Sequence, residues 1–211
     1  TIDIDLLNKH FVDYINYGGY PEIVLSKKMQ DDITQYVRHD IVDKVMLRDL
    51  PSLYGIKDIQ ELNRLFVYIV YHTGEEFSYD GLSQESGIRK EVLKKYIQYF
   101  EAAFLIKVVH KVNDNAKNLQ RVTAFKIYLT NPSLRCALFS PLSASDSMFG
   151  HIVETAIYAQ WTQRDTTEIH YASWVENKKN REVDMVGLDL ARQKPNWAVE
   201  IKWSDSLFCM I

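Results

Sequence analysis

The feature that most constrains the fold is a set of acidic residues inside otherwise apolar segments near the end of the chain. Glu154 lies in an apolar helical pattern, Asp184 lies in REVDMVG, and Glu200 and Lys202 lie in WAVEIKW. A carboxylate in such a segment costs free energy unless a cation or a hydrogen bond compensates it. We therefore expect these side chains to converge on one spot in the folded protein.

The periodicity of helices and strands makes this convergence possible. Strand alternation places Glu200 and Lys202 on one face of the same strand, so they are neighbours. Asp184 joins them if its strand pairs with theirs, and the turn between the two segments is long enough for a hairpin. The helical repeat puts Glu154 on an apolar face that is expected to pack on the sheet. The predicted catalytic residues are therefore Glu154, Asp184, Glu200 and Lys202.

Three carboxylates and one amine at a single spot indicate a metal site for the hydrolysis of phosphodiesters. Asp184 and Glu200 would supply hard oxygen ligands for Mg²⁺ or Mn²⁺, and the metal would polarise the phosphate and activate a bound water. Lys202 would orient that water or neutralise charge at phosphorus, and Glu154 would complete the shell through a water. Two alternatives stay open. The acids face solvent or form salt bridges such as Asp184 with Lys202, or the fold exists without the activity.

The order of predicted elements indicates an α+β protein in three parts. Residues 1–57 form a helical region. Residues 58–130 show three helices followed by a β-hairpin, which is the order of a winged helix-turn-helix. Residues 131–211 show a helix followed by three strands, a helix-plus-β-meander core.

Within these parts, several element boundaries are specific enough to test. The apolar pattern predicts helices at 5–16 and about 29–48, and Pro51 is expected to end the second. The three strands of the last part are predicted at 169–175, 182–188 and 197–203.

The charge of the chain is unevenly distributed. The whole chain has a net charge of −3, yet residues 88–126 carry 9 basic and 3 acidic residues. Such a local excess is expected of a surface that contacts phosphates, so DNA is the predicted partner, bound through a helix in the major groove. The alternatives are an interaction or spacer domain whose lysines only keep it in solution, and a transcriptional regulator. The predicted contacts are Arg89, Lys90, Lys94 and Lys95 on the third helix and Lys111, Lys117 and Arg121 on the wing.

Composition limits the cellular compartments in which the protein is expected. The apolar runs are too short for a transmembrane helix, and the N-terminus lacks the pattern of an export signal. Cys136 and Cys209 are far apart and match no metal-binding spacing, so two free thiols in a reducing cytoplasm are expected. The sequence predicts no membrane contact and leaves the oligomeric state open.

The acidic motifs also resemble those of a known superfamily. Glu154 on a helix, Asp184 on a strand and Glu200-x-Lys202 on another resemble the PD-(D/E)XK nucleases, with Val183 in place of the proline of that name. This resemblance implies a restriction-endonuclease-like core, which the end of the sequence at Ile211 would truncate.

Motifs along nearly the whole chain are similar, in their order, to the DUF4143 region in the C-terminal half of prokaryotic AAA-type ATPases. That similarity implies an ATPase domain of the same protein before residue 1, where ATP would bind, because this sequence has no G-x-x-x-x-G-K-[ST] motif. It also leaves open a non-catalytic module that recruits partners or assembles the ATPase. The motifs are YGGYPE at 17–22, YIQYFEAAFLI at 96–106, KIYL at 126–129, Gly150-x-x-x-Glu154, EVD at 182–184 and EIK at 200–202.

Overall fold

The computed structural model describes residues 3–112, 124–161, 169–189 and 194–203. This part of the chain is α+β, as the sequence predicted, and it contains helices and two three-stranded antiparallel sheets. None of its helices combines the length and the apolar character needed to cross a membrane. The helices are α1 (Ile4–Tyr17), α2 (Pro21–Val24), α3 (Lys27–Asp31), α4 (Leu50–Tyr54), α5 (Ile59–Tyr71), α6 (Tyr79–Ser86), α7 (Lys90–Ala102), α8 (Ser133–Leu138) and α9 (Phe149–Trp161). The strands are β1 (Glu76–Ser78), β2 (Ile106–His110), β3 (Ala124–Leu129), β4 (Ile169–Glu176), β5 (Lys179–Asp189) and β6 (Lys194–Val199).

The N-terminal region is helical, but its second helix differs from the prediction. Helix α1 matches the predicted helix and is capped by Asp3, whose carboxylate accepts the Leu6 amide at 3.1 Å. The predicted helix at 29–48 is divided into α3 and two π-helical stretches, Thr34–Val42 and Val45–Asp49. Pro51 does not end the helical path. It lies in the first turn of α4, where no backbone donor is required, and Gly55 with φ of 63° ends that helix instead.

Helices α5 to α7 pack on the first sheet, whose strand order is β1-β3-β2. Asp58 caps α5 by accepting the Glu61 amide at 2.8 Å, and Ser78 caps α6 by accepting the Gly81 amide at 3.0 Å. Gly87 ends α6 in the left-handed region with φ of 71°, a conformation that glycine adopts without strain. Helix α7 then turns Leu93 and further apolar residues into the core. The chain order is therefore α5, β1, α6, α7, β2, β3.

The second sheet has the order β4-β5-β6. The strand predicted at 197–203 is displaced, since β6 begins at Lys194 and ends at Val199. The reason for the early end lies in the next residues, because the Ile201 amide donates to the carboxylate of Asp184 rather than to a backbone carbonyl of the sheet. Glu200 and Lys202 consequently follow β6 instead of belonging to it.

The two sheets are brought together by α9 and by the end of β2. Helix α9 packs against β3, and the ring of Tyr128 on β3 stacks on Tyr158 of α9 with a centroid distance of 3.9 Å. After β2, the Val112 amide donates to the Tyr171 carbonyl on β4 at 2.7 Å. This packing sets one face of β3 against α9 and the second sheet, and the charged residues of the candidate site meet there.

Candidate functional site

The centre of the site is Lys126, a residue that the sequence analysis did not select. It lies in the apolar strand β3, and its side chain is only 4% exposed. Its ammonium group pairs with the carboxylate of Glu182, lies 3.5 Å from Oε2 of Glu154, and stands 5.5 Å from the centroid of the Tyr171 ring. The signal that could have found it is the one used for the acids, namely a charge inside an otherwise buried strand.

Glu154 reaches this centre from α9. Its Oε2 atom accepts a hydrogen bond from the hydroxyl of Tyr128 at 3.2 Å, and its side chain is largely buried. Burial raises the pKa of Glu154 to about 7, against the opposing effect of Lys126 and with a further upward contribution from the charge of Asp184. Near neutral pH this carboxyl group therefore exists in both protonation states.

Asp184 reaches the same region from β5 and is also buried. Its Oδ2 atom accepts the Ile201 amide at 2.6 Å, and its backbone carbonyl accepts the hydroxyl of Tyr158 at 2.5 Å. Burial raises the pKa of Asp184, while the hydrogen bond from Ile201 and the charge of Lys126 limit the rise. The hydrogen bond to Ile201 brings the segment with Glu200 and Lys202 next to Asp184.

Glu200 and Lys202 lie at the surface side of this segment and pair with each other. The distance from Lys202 Nζ to Glu200 Oε1 is 2.5 Å, and the two side chains are 55% and 36% exposed, respectively. The hydrogen bond with Glu200 raises the pKa of Lys202, and burial opposes it; the charges of Asp184 and Glu154 add to the rise. The salt bridge considered from the sequence, Asp184 with Lys202, is replaced by the pair Glu200 with Lys202.

These side chains do not fit a divalent cation in the arrangement described. Glu154 and Glu182 face the ammonium of Lys126, one oxygen of Asp184 accepts the Ile201 amide, and Glu200 is engaged by Lys202. Within the described ranges, no group of three or more His, Cys, Asp or Glu side chains is placed to hold a metal ion. Mg²⁺ or Mn²⁺ with Asp184 and Glu200 as ligands stays a prediction.

The predicted DNA contacts lie mainly on α7 and just before it. Arg89 and Lys95 are exposed, whereas Lys90 pairs with Asp80 and Lys94 stands 5.4 Å from the centroid of the Tyr79 ring. On the predicted wing, Lys111 is half-buried, and its backbone forms an isolated parallel β-bridge with Tyr171. Lys117 and Arg121 lie outside the described residues. Lys126 belongs to the basic block of the sequence, but its burial makes it unavailable to a phosphate.

A comparison with models of protein families identifies the family to which the chain belongs. The model of a domain of unknown function, DUF8612, matches residues 8–146. The chain belongs to the DUF8612 family. Two relatives are described as uncharacterized proteins, one from Methanocaldococcus jannaschii with 24% identity over 191 residues and one from Haemophilus influenzae with 20% identity over 186 residues. These matches cover 88% and 86% of this chain but 41% and 44% of the relatives, so the chain spans less than half of their length. No solved structure matches the chain.

Membership in DUF8612 corrects the resemblance drawn from the sequence. The similarity to the DUF4143 region of AAA-type ATPases was wrong, because the family match is to DUF8612. The motifs that suggested it are short and consist of residues common in amphipathic helices and buried strands. Their order did not separate one family from the other. The ATPase domain and the ATP that this similarity implied have no support from the DUF8612 match or from the two relatives.

Proposed function

We propose that residues 58–130 of this DUF8612 member form a winged helix that binds double-stranded DNA, and that the following residues form a nuclease-like domain attached to it. The observation that carries the proposal is the position of α7, which begins at an exposed basic segment directly after the short helix α6. In winged helices the helix at this place in the order enters the major groove. Binding to DNA agrees with the cytoplasmic location that the sequence predicts.

The packing of α7 supports this orientation. Leu93, Ile97 and Phe100 point into the core, so the opposite side of the helix is the side available to a ligand. Lys95 is exposed there, and Arg89 is exposed just before the helix. Helix α7 also contacts β2, which pairs with β3. Arginine and lysine at these positions would contact the phosphate backbone, whose contribution to affinity depends strongly on salt.

Fluorescence anisotropy with a labelled duplex tests DNA binding. The double variant Arg89→Ala/Lys95→Ala is expected to bind roughly tenfold more weakly than the wild type and to lower the salt slope by about 2, because two phosphate contacts are removed. The control Lys9→Ala/Lys28→Ala makes the same change of charge at exposed positions of the N-terminal helices and should bind as the wild type does. Absence of wild-type binding at about 50 mM salt would rule out the proposal.

Metal-dependent hydrolysis is the second candidate function. It is favoured by the neighbourhood of Glu154, Asp184 and the segment with Glu200 and Lys202, which the hydrogen bond between Asp184 and Ile201 holds together. The pairing of Glu154 with Lys126 and of Glu200 with Lys202 favours the alternative, a nuclease-like fold that recruits or regulates without cleaving.

A nuclease assay with Mg²⁺ or Mn²⁺ separates these two possibilities. A catalytic site predicts cleavage by the wild type and loss of cleavage in Asp184→Ala and Lys202→Ala. Equal cleavage by all three proteins would identify a contaminating nuclease. No cleavage by the wild type, together with duplex binding in the anisotropy experiment, would support the non-catalytic alternative.

A further inference from the structure

The acidic centre already contains a cation that belongs to the chain itself. The ammonium of Lys126 is buried, pairs with Glu182, and lies 3.5 Å from Glu154. Asp184 is close enough for its charge to act on Lys126 as well. A buried ammonium group is tolerated when carboxylates pair with it, and buried carboxylates have the same requirement. The ammonium group of Lys126 and the carboxylates around it therefore compensate each other's charge.

The backbone fixes this position firmly. Lys126 lies on β3, the central strand of its sheet, opposite Glu76 on one side and Val109 on the other. Below the ammonium lies the ring of Tyr171, whose hydroxyl donates to Glu76 at 2.7 Å. The face of an aromatic ring attracts a cation, so this ring adds to the binding of the ammonium group. Carboxylates on two sides and a ring on a third make a complete site for one positive charge.

We propose that Lys126 is the resident cation of the acidic centre, occupying the position that a divalent ion would take between Glu154 and Glu182. A divalent ion in that position would meet the positive charge of the ammonium within a buried space, where repulsion between like charges is strong. The acidic centre of the wild-type protein, as far as its described residues form it, is therefore expected to bind no divalent ion. Among the described residues these carboxylates are not grouped to hold a metal ion while the ammonium group lies between them. We expect its removal to let Glu154, Glu182 and Asp184 move together around Mg²⁺ or Mn²⁺ as hard oxygen ligands.

The inference does not depend on DNA binding by α7, and a metal-binding experiment without DNA tests it. Mn²⁺ is titrated into the purified full chain at about pH 8, where carboxylates are largely ionised. Free Mn²⁺ is followed by electron paramagnetic resonance, and thermal unfolding is measured with and without the ion. The proteins are the wild type, Lys126→Ala, and Lys126→Gln as a variant of closer size in case the first does not fold.

The proposal predicts no Mn²⁺ site in the wild type and one site in the Lys126 variants, bound at least roughly tenfold more tightly than any wild-type binding and accompanied by a rise in Tm. Adding Asp184→Asn to a Lys126 variant should weaken the new site. Tight Mn²⁺ binding by the wild type would overturn the proposal. So would folded Lys126 variants that bind no more Mn²⁺ than the wild type.

Lys202→Ala is the matched control, because it removes the neighbouring lysine of the acidic region. Lys202 is 55% exposed and pairs with Glu200, so its loss should create no Mn²⁺ site. If Lys202→Ala gained a site and the Lys126 variants did not, the resident cation would be Lys202 and the proposal would be wrong. Metal-dependent hydrolysis by the wild type needs a divalent ion that this proposal excludes from the acidic centre, so Mn²⁺-dependent cleavage that is lost in Asp184→Ala would also overturn the proposal. DNA binding by α7 is independent of both outcomes.

Discussion

At the scale of single residues, the acidic centre is governed by one ammonium group that faces more than one carboxylate. Lys126 compensates Glu182 and Glu154, and Asp184 is compensated mainly by the Ile201 amide. Burial lowers the pKa of Lys126, but the surrounding carboxylates together raise it by more than burial lowers it. The net shift of the pKa is therefore upward, and the group stays charged. Burial, with a further contribution from the charges of Asp184 and Glu182, raises the pKa of Glu154, so this group holds its proton to higher pH than an exposed glutamate does.

The first prediction concerns the pH dependence of stability at Glu154. Its pKa is raised from 4.5 to about 7 in the folded state, so between these values the folded state binds more protons than the unfolded state. This group therefore contributes stability at low pH that is lost as the pH rises through about 7. With about 1.4 kcal/mol per pKa unit, the loss is on the order of 3 kcal/mol.

Glu154→Gln tests this sign, since the amide cannot ionise. Relative to the wild type, the variant should gain free energy of unfolding between about pH 4.5 and about pH 8, measured by urea denaturation at several pH values. Glu22→Gln, at an exposed position of α2, is the control and should follow the wild type. A constant difference between Glu154→Gln and the wild type across this range would contradict the prediction.

At the scale of elements, the second sheet depends on a close approach between two strands. Gly187 on β5 pairs with Trp197 on β6, and a Cβ atom at Gly187 would lie 2.2 Å from the indole ring. Trp197 also stacks on Trp161 of α9 with a centroid distance of 5.6 Å. The absence of a side chain at Gly187 therefore allows one tryptophan to join β5, β6 and α9.

We predict that Gly187→Ala destabilises the protein by about 1 to 3 kcal/mol, because the added methyl group displaces Trp197. Thermal or urea unfolding, with tryptophan fluorescence as the signal, measures this cost. Gly150→Ala in the first turn of α9 is the matched control. A Cβ atom there meets no atom within 4 Å, so stability should be unchanged or slightly increased. Equal behaviour of the two variants would contradict the packing described for Trp197.

Much of the element pattern follows from the sequence, and the exceptions have physical causes. Helix α1 and the order of three helices followed by a hairpin, now α5, α6, α7, β2 and β3, were predicted from apolar periodicity, whereas strand β1 between α5 and α6 was not. The π-helical stretches were not, because their apolar residues resemble those of an α-helix of the same length. At the site, Glu154 and Asp184 stood out as acids in apolar segments. Their partner Lys126 comes from a distant strand, and periodicity within one segment cannot specify such a pairing.

At the scale of the whole molecule, one buried side chain joins the N-terminal helix to the connection before α9. Asn16 is 4% exposed; its Nδ2 donates to the Leu142 carbonyl at 2.9 Å, and its Oδ1 accepts the Leu142 amide at 2.8 Å. These residues are 126 positions apart in the sequence. Asn16 thus satisfies both backbone groups of Leu142, a buried residue in an otherwise largely exposed connection, from a helix that is remote in the sequence.

We predict that Asn16→Ala lowers the free energy of unfolding by about 2 to 4 kcal/mol, because both backbone groups of Leu142 lose a buried partner. Urea denaturation measures the change. Asn8→Ala, at an exposed position of the same helix, removes an equal side chain without a buried partner and should leave stability nearly unchanged. Similar free energies of unfolding for the two variants would show that the hydrogen bonds between Asn16 and Leu142 do not stabilise the protein.

The turn between β4 and β5 bears on how the protein reaches this structure. Asn177 and Lys178 have φ of 50° and 62°, and Glu176 pairs directly with Lys179 on either side of them. Such two-residue turns match the twist of a hairpin, and hairpins form within microseconds. Nucleation at this turn would set the alignment of β5 before distant segments arrive. A slip of the strand pairing by one residue would turn the side chain of Asp184 to the opposite face of the sheet. Incorrect pairing at this turn would therefore remove Asp184 from the acidic centre.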